Sequence, residues 1–161
     1  MKRFALSLVM LIGMSSLFGC IVINTQKESK TGFTTSCAGE GEHVNDGVFV
    51  HLSSGPEDPH RALMALKMAT LMAETRDVCV YVDIKGVNLL TKDAPVLQKE
   101  PFPSSHEMIM DLVAKGVPVM ACPACLKAAG LSPDNLMPGI KVADKDTFFS
   151  FTDGRILTID Y

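Results

Sequence analysis

Val117-Pro-Val-Met-Ala-Cys-Pro-Ala-Cys-Leu-Lys-Ala-Ala-Gly130 holds the join between the two kinds of element from which the chain is built. Residues 117–121 are an apolar run and read as a short buried strand. The run stops at Cys122, and a helical segment follows with Gly130 as its C-cap. Pro123 suits the first turn of that helix, where no backbone N–H is missed. Cys122 then stands at the helix N-terminus, where unpaired N–H groups and the helix dipole favour negative charge. A thiolate gains more from them than a thiol does, so Cys122 is expected to be acidic and reactive.

Two other readings of the pair Cys122 and Cys125 stay open. Cysteines separated by two residues also suit half of a zinc site, but a structural site needs four ligands, usually with a second pair. The histidines (His43, His51, His60 and His106) are scattered singly. The pair could also be inert, since free cysteine is often buried. Placement at a helix start favours thiol chemistry, and no metal and no cofactor is assigned.

Outward from this stretch, strand-like and helix-like segments alternate. Residues 47–55 read as a first strand with nearly continuous apolar side chains, as in a buried parallel sheet. Asp58 is a good N-cap with Pro59 after it, opening a helix over 60–74. That helix is apolar almost all round and is expected to be covered on more than one side. Met64, Met68 and Met72 lie at helical spacing and read as core or a contact between subunits. Residues 77–84 are a second strand, with Cys79 as an inert core residue. Pro95, Pro101 and Pro103 mark a surface connection. Ser104 and Glu107 form a capping box for a helix ending at Gly116. A fourth strand is expected over 139–143, a short helical or irregular link over 144–151, and a last strand over 155–161.

This alternation predicts an α/β fold: a three-layer sandwich around a mostly parallel sheet of about five strands. Ligands of such sheets gather at the carboxyl ends of the strands. Ser53, Ser54 and Cys122 all fall there, and His60 starts the following helix at the same edge. A pocket shared by the Cys122 thiolate, the Ser53 and Ser54 hydroxyls and His60 as proton carrier is therefore expected. His51 alternates into the first strand and reads as a satisfied core histidine.

The beginning of the chain reads differently. Met1-Lys-Arg is followed by an apolar run too short for a comfortable membrane span. Leu17-Phe-Gly-Cys20 is similar to a bacterial lipoprotein signal, which places 1–19 as a signal peptide and Cys20 as the lipidated residue. An ordinary secretory signal and a transmembrane anchor are the alternatives. Losing Lys2 and Arg3 takes the formal charge from −3 to −5. Residues 20–45 are polar, lack periodicity and read as a flexible tether carrying Cys37. The expected location is extracytoplasmic and membrane-anchored, where thiols tend to be oxidised. The folded domain is 46–161, and the mildly acidic chain, without a basic block, argues against nucleic-acid binding.

From Gly47 onward the chain resembles the DsrE family of sulfur-relay proteins. The resemblance rests on Val48-Phe-Val-His-Leu-Ser-Ser-Gly-Pro-Glu-Asp-Pro-His60, the strand 78–83, Cys122-Pro-Ala-Cys-Leu-Lys-Ala-Ala-Gly130 and Gly154-Arg-Ile-Leu-Thr-Ile-Asp-Tyr161. It implies a small α/β sandwich assembling as trimers or hexamers. It implies that Cys122 carries sulfur as a persulfide between donor and acceptor proteins or small persulfides. Cys125 is not part of the simplest relay site, and a secretion leader would separate the chain from cytosolic partners. A thiol–disulfide oxidoreductase using Cys122 and Cys125, and a non-enzymatic lipoprotein binding a soft metal or other ligand, are the competing functions.

Overall fold

The computed structural model describes residues 44–161. The expectations for the signal, Cys20, the tether and Cys37 lie outside the described residues. Within them, β1 (Gly47–Leu52) and β2 (Asp77–Val82) form the centre of a five-stranded sheet in the order β4-β3-β2-β1-β5. Every pairing is parallel. The remaining strands are β3 (Val119–Ala121), β4 (Lys141–Val142) and β5 (Ile156–Asp160).

The two-residue period of the strands sorts side chains onto two unlike faces. Val48, Val50, Leu52, Val78, Val80 and Val82 share one face and are at most 5% exposed. Two helices pack on them, α1 (Pro59–Met72) and α2 (Ser105–Ala114), and bury Leu63, Leu66, Ile109 and Leu112 completely. Right-handed crossovers place both helices on this side as the chain steps from β1 through β2 to β3. The connection to β5 runs back across the sheet. It carries the single-turn helix α4 (Thr147–Ser150), whose Phe148 stacks on Phe49 and Tyr81 on the other face, at ring distances of 5.4 and 5.0 Å.

Both long helices start as the sequence predicts. The Asp58 carboxylate accepts from the Arg61 N–H at 3.2 Å. Ser104 accepts from the Glu107 N–H while the Glu107 carboxylate accepts from the Ser104 N–H at 2.9 Å. α1 buries Ala62, Leu63, Ala65, Leu66 and Ala69, while Met64, Met68 and Met72 remain half-exposed at its side.

β3 is two residues shorter at its start than expected. Val117 belongs instead to the end of α2: its N–H donates to the Leu112 carbonyl, and that of Gly116 to Val113, both at 3.0 Å. This double bond closes a helix through a left-handed residue, and Gly116 has φ of 77°. The same arrangement recurs at Gly130, φ 71°, where Leu131 donates to Leu126 and Gly130 to Lys127. The predicted C-cap glycine is thus in place, and it fixes how far the Cys122 helix can run.

Candidate active site at the carboxyl edge of β2 and β3

Cys122 is the N-cap of α3 (Pro123–Ala128), directly after β3. Its backbone is pinned from both sides. The N–H donates to the Val82 carbonyl on β2 at 2.9 Å, and the carbonyl accepts from the Leu126 N–H at 3.0 Å. Leu126 is buried under the helix and anchors it to the core. Pro123 and Ala124 are exposed, while Cys122 and Cys125 are half-buried, so the cysteine pair opens to solvent on one side. Both are free thiols, as is the buried Cys79.

Burial pushes the Cys122 thiol up, but four neighbouring polar groups outweigh it and bring the group below the ordinary thiol value. They are the Tyr81 hydroxyl, the first-turn N–H of Cys125, the Cys125 thiol and the N–H of Ala124. With only six residues in α3, local donors rather than a long helix dipole do most of this work. Cys125 moves the opposite way. Burial raises it first and the neighbouring Cys122 raises it further; the Ile84 N–H pulls the other way, and Asp83 adds a smaller like charge. The pair is divided into an acidic sulfur and a resting thiol, the arrangement a nucleophile and its resolving partner require. Burial alone drives Cys79 up to about 12.

Tyr81 and Asp83 complete the site, and the sequence reading did not assign either. In the register, Asp160, His51, Tyr81 and Met120 form one row across β5, β1, β2 and β3. Two residues further on, Ser53, Asp83 and Cys122 fall in the next row by continuation of the same register. The signal available in sequence was position: odd-numbered residues at the carboxyl end of the strand next to the cysteine strand point to the cysteine side.

His51 is not a core histidine. It lies on the thinly covered face, with a side chain 28% exposed, and both ring nitrogens meet carboxylates. Nδ1 is 2.8 Å from Asp160 Oδ1 and Nε2 is 3.0 Å from Asp83 Oδ2. Its ring stacks on Tyr81 with centroids 5.6 Å apart. Desolvation lowers its affinity for a proton, but the hydrogen bonds and charges of Asp160 and Asp83 prevail and raise its pKa above 6.5.

The other expected residues are placed as follows. Ser53 lies on the same edge, but its hydroxyl is turned to the end of β5, donating to the Tyr161 carbonyl at 2.9 Å. Ser54 is half-buried in the following loop. His60 begins α1, exposed, with its ring against Phe102 at 5.6 Å. The contacts given to Cys122 therefore come from Tyr81 and α3 itself rather than from His60 or the serine hydroxyls. Among the described residues no three metal-type side chains converge. Beside Cys125 is an apolar hollow of about 360 Å³, lined by Ile84, Lys85, Asn88, Ala128 and Ala129. Ile84 is 61% exposed and has φ of 43°, a left-handed conformation unusual for a β-branched residue.

Comparison with known proteins agrees with this fold. The protein MK0008 of Methanopyrus kandleri is 30% identical over 99 residues, covering 61% of this chain and 79% of that protein. MJ0989 of Methanocaldococcus jannaschii is 27% identical over 103 residues, covering 63% and 88%. The crystal structure of ychN protein from E. coli is similar in fold, with a TM-score of 0.54 and 16% identity over 73% of this chain and all of that one. The sequence profile of the DsrE/DsrF-like family matches residues 46–153, strands β1 to β4, α1, α2 and the Cys122 helix included, and the chain belongs to that family.

Proposed function

We propose that this protein is a membrane-tethered carrier that takes up sulfane sulfur as a persulfide on Cys122 and passes it to an acceptor thiol. The observation that carries this reading is the division of the cysteine pair: Cys122 made acidic by Tyr81 and the first turn of α3, Cys125 kept as a thiol beside it. Family membership supports a sulfur-relay role for such a cysteine. In loading, the Cys122 thiolate attacks the outer sulfur of a donor persulfide. A new S–S bond forms on Cys122, the donor S–S bond breaks, and the donor leaves as a thiolate. In delivery, an acceptor thiolate attacks that outer sulfur and Cys122 leaves as a thiolate. The half-open position of Cys122 supports access by a partner protein or a small persulfide. The leader-like residues 1–19 and Cys20 support a lipid anchor and an extracytoplasmic location. The half-exposed methionine stripe of α1 supports assembly into a homo-oligomer, a trimer or hexamer in this family.

A second reading is favoured by the place of Cys125 in the first turn of α3, directly after the Cys122 N-cap. The Cys125 thiolate can attack the inner sulfur of a loaded Cys122, closing a Cys122–Cys125 disulfide and expelling hydrosulfide. A dithiol reductant would then be needed to reopen the site, and the protein would act as a thiol–disulfide oxidoreductase.

Intact mass after incubation with polysulfide separates the two. A reducible gain of about 32 Da, absent in Cys122→Ser and kept or raised in Cys125→Ser, is the carrier's signature. A loss of two hydrogens with no sulfur retained overturns it in favour of the disulfide.

A further inference from the structure

We infer that His51, clamped between Asp83 and Asp160, is a positioning residue for the sulfur chemistry: its imidazolium offsets the carboxylate charge beside Cys122 and Cys125. The inference rests on reading Cys122 as the reactive thiolate, and it adds the residue that sets the charge around it.

The argument starts from register. Asp83 follows β2 on the side of the sheet that carries Tyr81, and continuation of the β2–β3 pairing brings it level with Cys122. A bare carboxylate there opposes any thiolate, and its charge is felt at Tyr81 and Cys125. Asp83 has the partner needed to offset that charge. His51 Nε2 stands 3.0 Å from one of its oxygens, an ion-pair approach rather than an aligned hydrogen bond, and both Nε2 and the other oxygen, Oδ1, are buried with no hydrogen-bond partner. An acceptor oxygen left in that state makes the charge on Asp83 depend on a single neighbour.

His51 in turn is held from β5. Asp160 meets Nδ1 at 2.8 Å, although its own side chain is 71% exposed. With a carboxylate beside each nitrogen, the imidazole turns an N–H towards both only when it carries two protons. Among the described residues, the titratable groups placed at this array are Asp160 from β5, Tyr81 and Asp83 from β2 and its end, and Cys122 and Cys125 from the N-cap and first turn of α3; α4 brings the Phe148 ring. Protonated, the three-residue array carries one net negative charge; deprotonated, it carries two. Loss of that proton leaves the Asp83 charge without its offset and disfavours the Cys122 thiolate. His51 touches neither sulfur in this arrangement, so its effect passes through Asp83 and the Tyr81 ring it stacks on.

The test is the rate of alkylation of Cys122 by iodoacetamide across pH 5 to 10, on the full chain, followed by peptide mass. In the parent the profile has two inflections, the lower from His51. In His51→Gln the lower one disappears and the rate near pH 6 falls by about threefold to tenfold, the scale of one unit charge acting through partly solvated protein. The difference closes at high pH, where the parent histidine has lost its proton. Asp83→Asn raises the rate, and His51→Gln with Asp83→Asn returns it towards the parent, a rescue that a purely structural role does not give. If His51→Gln fails to fold, Asp160→Asn serves: it moves the lower inflection to lower pH while leaving the high-pH rate unchanged. A His51→Gln profile that overlays the parent, or an Asp83→Asn variant slower than the parent, overturns the inference. Sulfur loading measured on the same samples keeps the two ideas apart. Loading without a His51-dependent profile overturns only this inference, and the profile without loading overturns only the carrier.

Discussion

Tyr81 and Cys122 shift each other's acidity in opposite directions across the β2–β3 edge. Burial raises Tyr81, and the neighbouring Cys122 raises it further, while the Tyr81 hydroxyl helps bring the thiol below its ordinary value. The phenol therefore stays protonated wherever the thiolate exists, and acts as a fixed donor rather than a competing base. The β2–β3 pairing makes this possible. Tyr81 is paired with Met120, two residues before Cys122, and the Cys122 N–H is bonded to Val82, the next residue of β2.

Removing the hydroxyl alone is the direct check. Tyr81→Phe keeps the ring that stacks on His51, Phe49 and Phe148, so the face remains covered. The expected result is slower alkylation of Cys122 near neutral pH, by about threefold to tenfold, the range for one charge-assisted hydrogen bond at a half-exposed site. Stopped-flow alkylation of Tyr81→Phe against the parent measures it, and equal rates would remove Tyr81 from the site.

The three described cysteines should label in a fixed order. Cys122 reacts first and Cys125 later, because one is lowered and the other raised. Cys79 has no exposure and is pushed up to about 12, so it stays unlabelled until the chain unfolds. Timed labelling followed by peptide mapping reads the order, and early labelling at Cys79 would contradict the packing of that face.

The fold was largely legible because its signals are local. Asp58-Pro59, the Ser104–Glu107 box and glycine at 116 and 130 each act within one element, and the helices they bound formed as read, while β3 starts two residues late because Val117 closes α2. The site was legible only where it too is local, at Cys122 and Cys125. Tyr81, Asp83 and Asp160 reach it through strand register, which depends on which strands become neighbours. His51 was misread for the same reason. Alternation placed it on one face of β1, but did not say that this face is the one Phe148 and Phe151 cover. His60 shared the predicted edge in sequence, yet the loop after β1 delivers it to Phe102.

Ser104 tests one of the local signals. Its hydroxyl caps α2, and its hydrogen bonds hold the Glu107 carboxyl below the usual carboxylate range. Ser104→Ala should destabilise the domain by about 1 kcal/mol, within the range for losing an N-cap. The contribution linked to Glu107 is present above its unfolded value of about 4.5 and is lost as pH falls through the lowered folded value. Urea unfolding of parent and variant at pH 7 and pH 3 should show a smaller difference at the lower pH.

The His51 clamp makes stability depend on pH in the opposite sense. Its folded pKa is raised, so its contribution is fully present below about pH 6.5 and fades as pH rises through the folded value. Between those limits the parent should lose stability with rising pH, and His51→Gln should show a flatter profile. Urea midpoints from pH 5 to 9 measure both, and parallel curves would mean that the clamp contributes nothing to folding.

Ile84 offers a prediction of the reverse kind, a substitution that strengthens the fold. Its φ of 43° lies in the left-handed region, where a β-branched side chain is strained by about 1–2 kcal/mol. Little packing offsets this, since the side chain is 61% exposed. Asn enters the left-handed region far more readily, so Ile84→Asn should stabilise the domain by on the order of 1 kcal/mol. The strain persists beside the sulfurs: the Ile84 N–H favours the Cys125 thiolate, and the side chain forms the apolar wall of the hollow next to Cys125. Because the backbone already holds this conformation, the substitution should leave the N–H in place and remove only the wall. A higher urea midpoint with unchanged Cys122 alkylation is the expected outcome. A lower midpoint would mean that the exposed isoleucine is held by contacts worth more than its strain.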